Sequence, residues 1–313
     1  MRPATIDYEY EIVCVDTEQH RAGLACCYLL RSGDAYAFID CGTSLSVPGL
    51  LDVLRQRGIA REQVAYVIPT HVHLDHAGGA GLMLRELPNA QLVIHPRGAR
   101  HMRDPSKLIN SASVVYGAEN MTALYGEILP VPQARVLVAD DNFTLDFNGR
   151  ELLFIDAPGH ARHHFAVWDA RSRGWFTGDV FGLSYREFDG PQGAFLFPTT
   201  TPVQFQPEAW LTTLERLLAT HPAWAYLTHY GRVGNIAKLA GDLRRGLADY
   251  QRLARAQAQS PQRHAAIKQA LMQLALQEVA ALQAPVTPAQ ARELLAFDME
   301  LNTQGLEVWL DRK

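Results

Sequence analysis

Residues 67–79 read VIPTHVHLDHAGG. Three histidines and an aspartate (His71, His73, Asp75 and His76) stand within six positions, after an apolar run and before a pair of glycines. A packing role would require all four groups to find hydrogen bonds within one turn. The run VAYVIPT has strand character, so the four groups leave the end of a buried strand. Ala77-Gly78-Gly79 then opens the next helix with little steric bulk. Neutral imidazole and carboxylate are ligands for a borderline cation such as zinc, and also for iron or manganese. Four such donors do not fit comfortably around one ion, and their spacing suggests two neighbouring ions sharing the loop.

Donors of the same kind sit at other strand ends. FIDAPGH places His160 just after a strand, WFTGD does the same with Asp179, and AYLTH with His229. Seven candidate ligands at strand termini is the arrangement a metal site in a sheet-based fold requires. The surrounding chain agrees. GLACCYLL, AYAFIDC, VAYVIPT, AQLVIHP, ARVLVAD, ELLFIDAPG, HFAVWD, GWFTGD and AYLTH all read as strands. VPGLLDVLRQRG and AGGAGLMLRELP read as helices between them, and such mixtures give sheets covered by helices. Residues 98–128 read as a helical insertion, and residues 181–205 form a long segment dense in aromatics, Gly and Pro. From Arg232 onward the sequence is helix-forming, with Thr287 suited to an N-cap and Pro288 to a first helical position. The expected division is a domain over residues 1–231 and a helical extension over 232–313.

Composition narrows the function classes. A net charge of −4 offers no basic surplus for phosphates, so nucleic acid is not an expected partner. No stretch approaches the ~20 apolar residues that span a bilayer, and MRPATIDYEYEIV lacks an apolar leader. The expectation is a cytoplasmic protein with no membrane partner. Cys14, Cys26, Cys27 and Cys41 form no CxxC pair and read as buried free thiols.

HVHLDH matches the HxHxDH motif of the metallo-β-lactamase superfamily, and PGH, TGD and THYG match its later ligand motifs in order. The resemblance covers roughly residues 8–232. It is nearest to glyoxalase-II-like hydrolases, among them a bacterial and archaeal branch with THVHLDHAGGAG and a helical C-terminus. It implies an αβ/βα sandwich of class α/β, in which His71, His73 and His160 hold one divalent ion and Asp75, His76 and His229 a second. Asp179 would bridge them. Zinc β-lactamases carry a cysteine at that step, so the aspartate argues against a penicillin-type hydrolase. Asp40, in FIDCG, matches the acidic residue that supports the site from behind, and His164 lies where similar hydrolases have a positioning histidine.

The implied activity is hydrolysis of a small ester, thioester, lactone or phosphoester. Metal-bound water loses a proton near pH 7, and two ions clamp the attacked group. Asp75 would accept a proton and Asp179 would hold the bridge; the ions are expected to be zinc, with iron or manganese as alternatives. A persulfide dioxygenase-like iron enzyme and a non-catalytic sensor are the competing readings. Tyr185, Phe188 and Phe195 either line a substrate pocket or pack under the C-terminal helices, which would cap the site or form a homodimer contact. Of the vicinal pair beside His160, His163 is expected to be solvated. Arg232 and Lys238 do not reproduce the Arg/Lys contacts that glutathione-thioester hydrolases carry in their C-terminal helices.

Overall fold

The computed structural model describes residues 3–200 and 203–312. The chain divides into two compact units, one running to Asp156 and resuming over His163–Gly178, the other made of Ala157–Arg162 and the chain from Asp179 onward. The boundary expected at residue 231 lies inside the second unit.

In the first unit, β1 (Thr5–Tyr8), β2 (Ile12–Asp16), β3 (Cys26–Ser32) and β4 (Ala35–Ile39) are joined antiparallel. β5 (Val64–Ile68), β6 (Gln91–Ile94) and β7 (Val136–Val138) extend the same sheet in parallel. Parallel neighbours need long crossovers, which helices supply. α1 (Val47–Gln56) links β4 to β5. α2 (Leu74–Ala77) and α3 (Ala80–Glu86) lead to β6, and α4 (Pro96–Arg103), α5 (Ser106–Tyr116) and α6 (Met121–Tyr125) lead to β7.

Period-two alternation divides the residues of β2 and β3 between two faces. Val13, Val15, Cys27 and Leu29 share a core with Leu50, Val53 and Leu54 of α1 and Met83 and Leu84 of α3. On the opposite face Tyr28 meets Phe176 edge-on, ring centres 5.2 Å apart. Phe176 belongs to a second sheet, the antiparallel meander β8 (Phe143–Phe147), β9 (Arg150–Asp156), β10 (Phe165–Asp169) and β11 (Gly174–Gly178). Two sheets face to face with helices outside is the expected sandwich. The four cysteines are buried and unbridged, as expected.

One buried ion pair ties the sheets. Arg150 at the start of β9 donates from Nε and Nη2 to the two Asp169 oxygens, at 2.9 and 2.6 Å. Its Nη1 donates to the carbonyls of Tyr10 and Arg31, on the other sheet, at 2.9 and 3.0 Å.

The second unit contains α7 (Pro207–Leu218), the hairpin of β12 (Trp224–Leu227) and β13 (Gly231–Val233), and three long helices: α8 (Ile236–Gln257), α9 (Arg263–Ala281) and α10 (Pro288–Asp311). Thr287 caps α10 as expected, its hydroxyl accepting from the Gln290 N–H. α9 and α10 are pinned by Arg263–Asp311, His264–Glu307 and Lys268–Glu300 pairs. Among the described residues no helix is long and apolar enough to cross a membrane.

Candidate metal centre

Each unit carries part of the donor set, and each part is held by its own neighbours. In the first unit β5 ends at Ile68, and the chain turns through Thr70 into His71, His73, Asp75 and His76, the last two on α2. Asp40, just beyond β4, lies in the left-handed region (φ 57°) and is buried. Its Oδ1 accepts from the Thr70 N–H at 2.7 Å and the Thr70 hydroxyl at 3.0 Å. Its Oδ2 lies 3.0 Å from His76 Nδ1.

These contacts decide tautomers. A carboxylate only accepts, so His76 Nδ1 carries the proton and Nε2 the lone pair. That Nε2 lies 3.6 Å from Asp75 Oδ2. The Thr70 hydroxyl spends its single hydrogen on Asp40, so it accepts from His71 Nδ1, 3.2 Å away, and His71 likewise presents Nε2. His71 Nε2 faces His73 Nδ1 at 2.9 Å. Asp40 thus supports His76 directly and His71 through Thr70, a residue that sequence reasoning misses although it directly precedes the motif.

His164 is buried and its ring stacks on His71, centres 4.6 Å apart at 22°. His163 departs from expectation: it is buried, edge-on to His73 at 5.4 Å, because the start of β10 is tied inward by the Phe165 N–H donating to the Thr70 carbonyl. Gly178, ending β11 with φ 48°, closes this packing. A Cβ there would stand 2.5 Å from Thr70 Oγ1 and 2.6 Å from His164 Nε2. Cys41, beside Asp40, is no competing donor, since burial first and the Asp40 charge second push its thiol well above the usual range.

In the second unit His160 sits beside Gly159, whose φ of 141° and 2.4 Å approach to the Trp210 side chain leave no room for a Cβ. His160 Nδ1 lies 3.1 Å from the Thr199 carbonyl, which accepts its proton and again leaves the lone pair on Nε2. Asp179 stands between two histidines: Oδ2 is 3.4 Å from His160 Nε2, and Oδ1 is 3.9 Å from His229 Nε2. His229 leaves the end of β12, and its carbonyl accepts from the Ser184 N–H at 2.5 Å.

The donor chemistry fits a divalent transition metal. His71, His73, Asp75 and His76 in one unit, and His160, Asp179 and His229 in the other, offer imidazole nitrogens and carboxylate oxygens, mostly buried. Three of the imidazoles have their second nitrogen engaged by a protein acceptor, as metal-ligating histidines do.

Of the two roles open to Tyr185, Phe188 and Phe195, the structure shows packing. All three are buried. Tyr185 donates its hydroxyl to Asp298 of α10 at 3.0 Å, and Phe188 meets Phe195 edge-on at 5.4 Å. The segment is further tied to α10 by the Thr200 N–H, which donates to Asn302 Oδ1 at 2.6 Å. Packing under the C-terminal helices, one of the two roles left open by the sequence, is thus the one these contacts display. A long loop rich in aromatics can satisfy its rings by burial against an amphipathic helix, and this one does.

Comparison with known proteins follows the same lines. The metallo-beta-lactamase fold-containing protein ST1585 of Sulfurisphaera tokodaii is 27% identical over 207 residues, 64% of this chain and 74% of its own length. The crystal structure of ST1585 from Sulfolobus tokodaii matches with a TM-score of 0.63 at 23% identity, covering 91% of this chain and 93% of that one. The metallo-beta-lactamase family protein TTHA1429 of Thermus thermophilus matches at 0.59 and 19%, covering 94% and 92%. The metal-soaked Flv1 flavodiiron core of Synechocystis matches at 0.55 and 18%, covering 81% and 62%. At these identities the structural likenesses concern the fold alone. The profile of the metallo-beta-lactamase superfamily, however, matches residues 21–229, from the loop before β3 to the last candidate ligand, and so takes in every donor described above. The chain belongs to the metallo-beta-lactamase superfamily.

Proposed function

We propose that the protein is a dinuclear metal-dependent hydrolase of a small ester, thioester, lactone or phosphoester. The observation that carries this reading is the Asp179 carboxylate, which turns one oxygen toward His160 and the other toward His229. A carboxylate so placed suits the role of joining two ions. In this reading His71, His73 and His160 would hold one ion, Asp75, His76 and His229 would hold the other, and Asp179 would serve both. Two divalent ions, zinc by preference, would supply Lewis acidity and a nucleophile at neutral pH. The protein's own part is orientation. Asp40 and Thr70 hold the Nε2 lone pairs of His76 and His71 outward, and the Thr199 carbonyl does so for His160. Asp75, a quarter exposed at the loop, would take up a proton.

Metal analysis of the purified protein, with a panel of thioesters, lactones, phosphodiesters and phosphotriesters, tests the reading. Two equivalents of transition metal and turnover of one class are expected. Asp179→Ala should lose one equivalent and nearly all turnover, and unchanged turnover would sink the bridging role. Oxygen uptake on a persulfide, with no hydrolysis, would replace the hydrolase reading with a redox one.

A further inference from the structure

A cavity lies wholly within the second unit, at the start of α8. It encloses about 200 Å³ and is lined by Arg186, Arg232 and Lys238 with the backbone of Gly193, Gly234 and Asn235. Three cations and no carboxylate line it among the described residues. From this we propose an oxyanion site that takes the phosphate group of a small ligand.

The cations converge on one space from three elements. Arg232 sits over the Trp224 ring, its guanidinium carbon 4.0 Å from the ring centre. Arg186 reaches in from the turn after Tyr185. Its Nη2 donates to the Ser184 carbonyl at 3.2 Å and Nη1 pairs with Asp189 at 3.2 Å, while its buried Nε has no acceptor among the described residues. A buried N–H without an acceptor is costly, and an oxyanion would relieve it. Lys238 stands on the first turn of α8, half exposed and paired on its outer side with Asp242 at 2.8 Å.

The backbone contributes openness and polarity. A Cβ on Gly193, at φ 115°, would meet nothing within 4 Å, so the turn borders open space. α8 has 22 residues, no side-chain cap from Asn235 and no acidic residue in its first turn, so its leading N–H groups and the positive end of its dipole add to the three cations. A volume near 200 Å³ admits a phosphate with its first hydration or one substituent. Arg186 also shares the Ser184 carbonyl with the Tyr230 N–H, which donates to it at 2.9 Å, so the cavity and the His229 loop hang on one peptide group.

This inference stands apart from the metal reading and is tested apart from it. The metal-loaded full chain is titrated with inorganic phosphate at constant ionic strength, with sodium chloride and sodium acetate as parallel arms. Thermal midpoint and tryptophan fluorescence are followed together. Saturable stabilisation by phosphate, with little from acetate and none from chloride, is expected. Trp224→Phe should remove the phosphate-dependent fluorescence change while the thermal response persists. Arg186→Gln and the half-exposed Lys238→Gln should each weaken phosphate binding by about tenfold, the usual effect of losing one charge-assisted hydrogen bond. Wild-type affinity in both variants would place any bound phosphate elsewhere, at the metal donors for instance, and overturn the proposal. So would the absence of a saturable response, or acetate binding more tightly than phosphate.

Discussion

Replacing Asp40 with Asn removes one formal charge and two hydrogens' worth of acceptor capacity without changing shape, which makes it a sharp probe of how His76 is prepared. The carboxylate accepts the Thr70 N–H at 2.7 Å and His76 Nδ1–H at 3.0 Å, both in a buried setting. Asparagine has one oxygen to serve both. If it stays on Thr70, its NH₂ faces His76 Nδ1 and forces the proton to Nε2, the nitrogen that faces Asp75. If it turns over, two donors meet at Thr70, at a cost of about 1–3 kcal/mol for the unsatisfied buried group. The first outcome is cheaper and leaves a folded protein with the wrong tautomer. Loss of such a supporting carboxylate typically weakens a metal site by about 10- to 100-fold, or about 1.4–2.7 kcal/mol. A competition titration against a chromophoric chelator, run on wild type and Asp40→Asn, measures this directly, with the thermal midpoint as a check on folding. Two ions held at wild-type affinity by a folded Asp40→Asn would refute the tautomer argument.

Four other outcomes follow from the same structure. Arg150→Met strands Asp169 in the sandwich interior, costing about 3–5 kcal/mol by denaturant titration, and a second change of Asp169 to an apolar residue should recover part of that. Gly178→Ala puts a Cβ against Thr70 and His164 at a positive φ, and should cost about 2–3 kcal/mol while loosening metal binding, read by the same chelator competition. Glu278 on α9 is pushed up from 4.5 to about 7, chiefly by burial and against the pull of Arg245. The folded state therefore holds its proton more tightly, and the stability this adds is complete below pH 4.5 and lost as pH rises through about 7. Glu278→Gln should raise stability at pH 8 by up to about 3 kcal/mol and by nothing at pH 4, as measured by urea midpoints. Chelation of the metals should lower the thermal midpoint yet leave the far-ultraviolet dichroism intact, and loss of the helical signal would show that the donors depend on the ions for their fold.

The nine strand runs and the principal helices were legible because alternation, helical spacing and Gly/Pro punctuation all agreed there. β1 (TIDY) is short and polar at an edge, and β8 (FTLDF) and β13 (GRV) are brief strands whose identity comes from their partners. α7 is harder to read because PEAWLTTLERLL follows a Pro-rich loop, although Pro207 in the first helical turn is a usable signal. Of the candidate donors, His71, His73, Asp75, His76, His160, Asp179 and His229 could be read because metal chemistry restricts residue type. Asp40 came with the family pattern. Thr70 and the Thr199 carbonyl could not, since a hydroxyl and a peptide oxygen carry no chemical signature until the fold brings them to an imidazole. The aromatic loop left two roles open for a related reason: composition says that rings need company, and the packing supplies that company from α10.

What the contacts add to the motif is an order of events. The imidazoles of His71, His76 and His160 each spend Nδ1 on an acceptor from their own unit: the Thr70 hydroxyl, the Asp40 carboxylate and the Thr199 carbonyl. None of these acceptors is itself a candidate ligand. The tautomers are therefore set by the polypeptide, and each unit readies its donors without reference to an ion. In a small metal-folded domain the ligands and the core are the same residues, so removing the ion removes the structure. Here each unit also buries apolar residues that are not donors: Leu29, Leu50 and Met83 share a core in one, and Leu243, Leu247 and Leu295 are buried in the other. Under the proposed reading, binding free energy at these donors would go to holding and polarising ions rather than to assembling the chain, the condition a catalytic metal centre has to meet.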